Sequence, residues 1–272
     1  MFLEYLKLDF IQNAILASFF ISVLCAIIGP LILVNRLSSI VGGVAHAAYG
    51  GIGISLYFGI SVIFSSLAFC IFCALIIAFL SKQKSNQDAV ISVIWAFGMS
   101  LGLLLSDLST NFNAVILNYL FGAILTVEKI DFYAMIIALL IIIPLVFIFY
   151  RQLVCVCVDS EFAGIRHIKA DLIYYLIVIF SAVCVVLGLR VVGLIMIIAL
   201  ISIPAYISLM FVKSLFYSML LSAILSFLFC FFGLMISIVY NLSTSSCIIL
   251  LACICFAIAY LIKKFTKLHN LS

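Results

Sequence analysis

His46 is the first of the few residues in this chain whose type and position could do chemistry. It lies in the apolar stretch IVGGVAHAAYGGIGIS, among several glycines. A neutral imidazole in the interior of a helix bundle can be a transient ligand for a divalent transition metal. It can equally be a packed side chain, hydrogen-bonded to a carbonyl, among small residues that let helices approach closely. Both interpretations remain open from the residues alone.

Asp107 is a second candidate, because a carboxylate at the outer end of a span could attract cations. The simpler interpretation is an anchor in water, and we favour it. Asp107 closes the stretch FGMSLGLLLSD, in which Gly98 and Gly102 form a GxxxG pattern typical of close helix packing. Further along, Pro204 lies within an apolar run, where it removes a backbone hydrogen bond and predicts a kink. Such a kink can act as a hinge or fit neighbouring helices.

The longest polar stretch, 151–171, reads RQLVCVCVDSEFAGIRHIKAD. Its centre is compatible with a short helix that begins with an Asp or Ser cap and has Glu161 in the first turn. A solvated loop is the simplest interpretation. Mixed charges, small residues and the apolar side chains of Phe162 and Ile165 also suit a surface that docks on a partner protein.

These candidates must be positioned by membrane helices, because 69% of the 272 residues are hydrophobic and only 8% are charged. A soluble domain carries roughly 25% charged residues. The composition also excludes a disordered chain, a coiled coil and a nucleic-acid-binding module. We therefore predict an all-α, polytopic transmembrane helix bundle with about eight or nine spans, forming one domain over 1–272. The candidate spans are 14–34, 40–60, 61–81, 89–107, 132–150, 172–189, 191–212, 215–238 and 246–262.

The distribution of lysine and arginine predicts the orientation of these spans. We place the N-terminus outside and treat 113–127 as too short to cross, hence re-entrant or half-buried. Only Lys7, Lys129 and Arg190 then remain outside. Only Arg190 separates the sixth span from the seventh. The inside receives the remaining basic residues: Arg36, Lys82, Lys84, Arg151, Arg166, Lys169, Lys213, Lys263, Lys264 and Lys267.

Several activities lack the residues they require. No lysine follows a glycine, so the chain has no P-loop for ATP, and it contains no HExxH. We therefore predict no catalytic residues and no enzymatic activity. The ten cysteines lie mostly in apolar runs without framework spacing, and the CxxC of Cys70 and Cys73 fits one face of a packed helix.

Four stretches resemble the membrane subunits of bacterial ATP-binding-cassette importers for zinc, manganese and iron(II). IIGPLILVNRLSSIVGGVAHAAYGGIGIS is similar to the family's Val-x-Arg-x-Ser segment and its histidine box, with His46 at the histidine. DAVISVIWAFGMSLGLLL and LNYLFGAILTV resemble its fourth-helix and Tyr-Leu-Phe-Gly motifs. VDSEFAGIRHIKAD and LRVVGLIMIIALISIPAYIS resemble its cytoplasmic stretch and its Ile-Pro-Ala segment.

The resemblance implies a multi-pass permease of the bacterial inner membrane. Two copies would form the pathway, two separate ATPase subunits would dock inside, and an extracytoplasmic metal-binding protein would deliver the cargo. The chain would bind no cofactor of its own, and zinc is the favoured cargo, with manganese or iron as alternatives. The metal pathway would include His46 and Asp107. ATPase coupling would use Asp159, Glu161, Ala163, Gly164 and Arg166, and packing or hinge roles would fall to Gly50, Gly51, Gly98, Gly102, Gly193 and Pro204.

The chain departs from the family pattern beside His46. Family members usually carry an acidic residue four positions earlier, on the same helical face, and here that residue is Gly42. Ala45 and Gly50 replace the usual serine and proline. His46 would therefore act with residues from elsewhere, or selectivity would reside in the delivery protein. The alternative function is a secondary transporter or channel without an ATPase, which would need carboxylates deep in the spans.

Overall fold

The computed structural model describes residues 8–82, 87–109, 119, 122, 124, 127–158, 163, 164 and 169–269. Over these ranges the chain is helical without strands, and nine helices are long and apolar enough to cross a membrane. The predicted all-α transmembrane bundle is therefore confirmed. The helices are α1 (Asp9–Val34), α2 (Ser38–Phe58), α3 (Val62–Lys82), α4 (Gln87–Asp107), α5 (Lys129–Ile148), α6 (Tyr150–Val158), α7 (Ala170–Val191), α8 (Leu194–Phe211), α9 (Leu215–Tyr240) and α10 (Thr244–His269).

Two glycines in left-handed conformation break the chain between spans that nearly abut in the sequence. Gly59, with φ 69°, ends α2, and Gly193, with φ 84°, lies between α7 and α8. The predicted separation of the sixth and seventh spans at Arg190 is wrong, because Arg190 lies in the last turn of α7. Glycine adopts positive φ without steric cost, so the turn falls there. The charge of Arg190 is instead accommodated by an ion pair.

Helices α1, α2 and α7 form the centre of the bundle, whereas α4 and α10 lie at its periphery. Contacts between buried residues show how the central helices run. Gly188 of α7 lies against Ile21 of α1, and Cys25 Sγ lies 3.9 Å from Cys184 Sγ. These two contacts pair α1 and α7 antiparallel, as expected for helices that cross in opposite directions. All ten cysteines fall in the described ranges and are free thiols.

The short helix α6 packs beneath the end of α1. Leu153 and Val156 are its buried residues. The Asn35 side-chain amide, just after α1, donates to Leu31 O at 2.7 Å and to Cys157 Sγ at 3.0 Å. Burial raises the pKa of the Cys157 thiol, and the hydrogen bond from Asn35 opposes that shift. The end of α1 and the chain after α5 therefore meet on one face of the bundle, which the basic residues assign to the cytoplasm.

Candidate functional site

The His46 side chain stacks face to face on the indole of Trp95. His46 lies near the middle of α2 and Trp95 near the middle of α4, with ring centroids 4.1 Å apart and an interplanar angle of 17°. His46 is half-buried, and within the described part of the chain its Nδ1 is buried without a hydrogen-bond partner. The interpretation in which a carbonyl satisfies His46 finds no such partner at Nδ1. Trp95 stacks on the ring, and Nδ1 keeps no hydrogen bond to a described residue.

Glycines bring α2 and α4 into backbone contact around this stacked pair. A Cβ added to Gly98 would lie 2.5 Å from Ala47 Cα, and one added to Gly53 would lie 2.7 Å from Gly102 Cα. A Cβ on Gly102 would overlap the Tyr49 carbonyl. Observed Cβ atoms essentially never approach other atoms so closely, so only glycine fits. Because the helices are held this tightly, His46 and Trp95 keep a fixed separation.

Gly50 and Gly51 likewise allow α3 to approach α2 closely. A Cβ on Gly51 would lie 2.5 Å from Ser66 Cα, and one on Gly50 would meet the ring of Phe69 at 2.5 Å. The Ser65 hydroxyl donates to Gly51 O. Hydroxyl-to-carbonyl bonds of this kind help hold helices together where no water is available. In the turns that follow His46, helix α2 is thus in close contact with α4 on one side and with α3 on another.

Gly42 lies one turn before His46 and contrasts with the other glycines of α2. No atom lies within 4 Å of a Cβ built there. The position that the family fills with an acidic residue is therefore open space in this chain. Within the described residues, no group of three or more His, Cys, Asp or Glu side chains is arranged to hold a metal ion. Over the described ranges, His46 therefore belongs to no such group of ligands.

The structure does not bring Asp107 to His46. Asp107 is exposed at the outer end of α4, twelve residues after Trp95. At 1.5 Å per residue, the carboxylate lies about 18 Å along the helix from the level of the stacked rings. The two predicted pathway residues therefore lie at levels about 18 Å apart along α4, too far apart to coordinate one ion together.

An ion pair at the outer surface was missed by the sequence analysis. Arg190 Nε lies 2.9 Å from Asp131 Oδ1, and Arg190 Nη2 lies 3.9 Å from Glu128 Oε2. Asp131 is 6% exposed. Glu128 and Asp131 also form a capping box at the start of α5. The E-x-x-D spacing before an apolar run was the available signal, but nothing in the sequence joined it to an arginine 59 residues later.

A loop segment before α5 packs over the same surface. Gly122 has φ 76°, and a Cβ there would overlap the Val192 carbonyl and lie 2.5 Å from Gly193 N. Burial raises the pKa of the Tyr119 hydroxyl, and the Arg190 guanidinium opposes that shift. Most of the predicted re-entrant stretch 113–127 lies outside the described residues.

A model of the ABC 3 transport family matches residues 7–263. The chain belongs to the ABC 3 transport family. The resemblance identified from the sequence motifs is thereby confirmed, as is the assignment to a multi-pass protein of the bacterial inner membrane. The match covers all nine spans, so it applies to the whole bundle.

Individual ABC 3 relatives extend this finding. An uncharacterised membrane protein of Synechocystis is 39% identical over 96% of this chain and 92% of its own length. The manganese transport system membrane protein MntC of Listeria monocytogenes is 26% identical over 96% of this chain and 94% of its own. Among solved structures, PsaBC from Streptococcus pneumoniae in complex with Fab matches with a TM-score of 0.89 at 25% identity, covering 99% of both chains.

In this ABC 3 chain the predicted coupling stretch is described only in part. Asp159, Glu161 and Arg166 lie outside the described residues. Ala163 is fully buried, whereas Gly164 is exposed beside a cleft that Lys169 and the first residues of α7 also line. No atom lies within 4 Å of a Cβ at Gly164. The stretch therefore has one residue anchored in the bundle and the next facing open space.

The two remaining predicted hinge residues lie at the start of α8 and within it. Gly193 precedes its first residue, and Pro204 lies inside it, buried. Gly29 of α1 packs against α8 beside Pro204, where an added Cβ would overlap the Ile201 carbonyl and lie 2.8 Å from Ala205 Cβ. The kink expected at Pro204 stays a prediction.

Proposed function

We propose that this chain is the permease subunit of an ATP-driven importer for a divalent transition metal. The observation that carries the proposal is His46, a mid-span imidazole whose Nδ1 is buried without a hydrogen-bond partner in the described structure. Polar groups at membrane depth are costly and mark substrate pathways. Manganese is the first cargo to test, because the Listeria relative is named for it. Zinc, which the sequence favoured, and iron(II) are tested beside it.

A site with the single imidazole of His46 suits the transport of a metal ion better than its tight binding. One neutral nitrogen binds a divalent ion weakly, so the ion can leave again, and a second copy of the chain would supply a second His46. Asp107, exposed at the outer end of α4, would attract the cation before it enters. The open space at Gly42 leaves room for an ion with part of its water shell. Selectivity would then rest mainly on the protein that delivers the metal.

Energy would come from separate ATPase subunits, since the chain contains no P-loop. Two such subunits would dock on the cytoplasmic face of a permease dimer and contact the stretch that contains Asp159, Glu161, Ala163, Gly164 and Arg166. Closure of the ATPase pair would displace this stretch and rock the helices attached to it. Gly193 and Pro204, at the start and within α8, are the proposed hinge positions.

Metal uptake by His46→Ala tests the pathway assignment. In cells that lack the native permease, we expect manganese uptake to fall at least tenfold, with the variant still inserted and still copurifying with its ATPase. Trp95 is the only tryptophan, so its emission reports directly on the stacked imidazole. Manganese should change this emission in the wild type and not in His46→Ala. Unchanged uptake together with a metal-independent emission would assign His46 to packing.

The coupling assignment is tested by Glu161→Arg, with Lys264→Gln at the cytoplasmic end of α10 as a charge control. We expect Glu161→Arg to abolish ATPase copurification and uptake, and the control to preserve both. Uptake that survives without any ATPase would favour the alternative, a secondary transporter. That alternative has little support among the described residues, because Asp131, the buried carboxylate, is already paired with Arg190.

A further inference from the structure

A long apolar groove separates α5 from α9, with α1 as its floor. Its volume is about 550 Å³, within the range of small-molecule sites, and its lining is almost wholly hydrocarbon. We call it the α5–α9 groove and define it by six lining residues: Val23 and Ile27 of α1, Ile143 and Phe147 of α5, and Leu220 and Ala223 of α9. Water cannot fill such a space favourably, because the lining offers it almost no polar surface for hydrogen bonds.

Two polar contacts hold the ends of the segment that contains α5, and the first of them lies at the groove. At the cytoplasmic end, the Phe216 backbone N–H donates to Tyr150 Oη at 3.0 Å, which joins the end of α5 to the first turn of α9. At the outer end, Asp131 and Arg190 bind α5 to α7. Between these ties α5 and α9 stand apart. Phe147 is 79% exposed and Leu220 is 52% exposed, so the groove opens sideways into the bilayer.

The length of the groove matches one leaflet. Along α9 it runs from Phe216 to Leu228, which is twelve residues or about 18 Å at 1.5 Å per residue. Half of a 30 Å hydrocarbon core is about 15 Å. The groove begins at the cytoplasmic ends of α5 and α9, so it spans the depth that an acyl chain of the cytoplasmic leaflet occupies.

Two basic residues lie close in the sequence to the residues that line the cytoplasmic end of the groove. Arg151 follows Tyr150 directly, and Lys213 lies three residues before Phe216, so the Tyr150–Phe216 hydrogen bond draws both toward the same end. Both side chains are exposed, and within the described part of the chain neither forms an ion pair. Basic pockets between helices on the cytoplasmic side attract anionic lipid headgroups.

We propose that the α5–α9 groove binds an anionic phospholipid of the cytoplasmic leaflet. One acyl chain lies between α5 and α9 on α1, and the phosphate contacts Arg151 and Lys213. The lipid fills space that would otherwise stay empty beside α5. Helix α5 is followed directly by α6, which begins the stretch 151–171. A lipid bound beside α5 would therefore also stabilise the position of the helix that leads into this stretch.

Native mass spectrometry of the purified full-length permease tests this site, with phosphatidylglycerol and phosphatidylcholine as probes at equal concentration. The wild type should retain phosphatidylglycerol preferentially. Ala223→Trp places a bulky ring in the groove and should remove both lipids, whereas Ala257→Trp, on the exposed face of α10, should not. The double variant Arg151→Gln/Lys213→Gln should lose the preference for phosphatidylglycerol roughly tenfold or more, at about 1 kcal/mol per basic residue. Lys264→Gln is its charge control.

Three results would overturn the proposal. The first is equal lipid retention by Ala223→Trp and Ala257→Trp. The second is an unchanged preference for phosphatidylglycerol in the double charge variant, which keeps the test decisive if the tryptophan variant does not fold. The third is a wild-type permease that is dimeric and retains no lipid, together with an Ala223→Trp variant that is monomeric. A second copy of the chain would then occupy the groove.

Discussion

Helices α2 and α4 touch through their backbones, whereas the α5–α9 groove separates α5 from α9. At the first contact, Gly53 lies against Gly102, and Gly98 lies against Ala47. In the second region, large residues such as Phe147 and Leu220 line the α5–α9 groove. Both regions are apolar, so polarity does not explain the difference. Side-chain size decides it, because lipid solvates large apolar residues as well as another helix does.

The difference separates a rigid region from an adaptable one. Backbone contact fixes the distance between His46 and Trp95, and a residue that contacts a transported ion needs such a fixed frame. On the groove side, the buried face of α5 packs in the bundle, and its polar contacts lie near its ends, Asp131 with Arg190 and Tyr150 with the Phe216 amide. Substitutions that add or remove atoms should therefore have opposite consequences in the two regions.

The largest expected effect follows from loss of the outer tie of α5. Arg190→Gln leaves the buried Asp131 carboxylate without its partner, and breaking a buried pair in this way costs about 3 kcal/mol or more. We expect a marked fall in the melting temperature of the purified permease in detergent. If α5 were held mainly by packing, the melting temperature would barely change.

Lys129→Gln is the matched control for this substitution. Lys129 lies in the same turn of α5 as Asp131, is exposed, and forms no ion pair in the described structure. Exposed charges contribute little, about 0.5 kcal/mol or less. A fall for Lys129→Gln as large as that for Arg190→Gln would show that the turn is sensitive to any charge loss.

The backbone contact of α2 with α4 predicts the next largest effect. Gly102→Ala puts a methyl group onto the Tyr49 carbonyl, and such overpacking costs about 2 kcal/mol. Gly42→Ala adds the same atom on α2 where nothing lies within 4 Å. The control should melt at or slightly above the wild-type temperature, since alanine favours a helix over glycine. Equal melting temperatures for the two variants would refute the close contact.

Much of the fold could be predicted because lipid leaves only helices as spanning elements. Composition and run length therefore predicted about eight or nine spans, and the described residues contain nine. The GxxxG glycines, Gly98 and Gly102, lie where α2 approaches α4 closely. The boundary at Arg190 was predicted wrongly for a physical reason. A charge ends a span only when it must reach water, and Arg190 meets Asp131 instead.

The candidate site was less predictable, because apolar runs do not say which helices are neighbours. The sequence singled out His46 but gave no reason to pair it with Trp95, 49 residues later. It grouped His46 with Asp107, although about 18 Å of helix separates their levels. Spans that are apolar on every side carry no periodicity to mark an inner face. The groove, which depends on three such helices, had no signal in the sequence at all.

A smaller effect is expected at the cytoplasmic tie of the groove. Tyr150→Phe removes the acceptor for the Phe216 N–H, which belongs to the first turn of α9 and has no intrahelical partner. Loss of one such hydrogen bond costs about 1 kcal/mol. The melting temperature should fall by less than in Arg190→Gln, whereas Tyr217→Phe, at an exposed position of α9, should leave it unchanged. A Tyr150→Phe variant as stable as wild type would mean that packing alone closes this end.

The smallest expected effect is the sharpest test of the contrast between the two regions. Ala223→Leu adds three carbons inside the α5–α9 groove, whereas Gly102→Ala adds one carbon between α2 and α4. Because the groove has room, the leucine should change stability by only about 0.5 kcal/mol in either direction. Thermal unfolding of both variants under one detergent condition measures this. If three carbons in the groove cost more than one carbon at Gly102, the groove is closed in solution, and side-chain size does not distinguish the two regions.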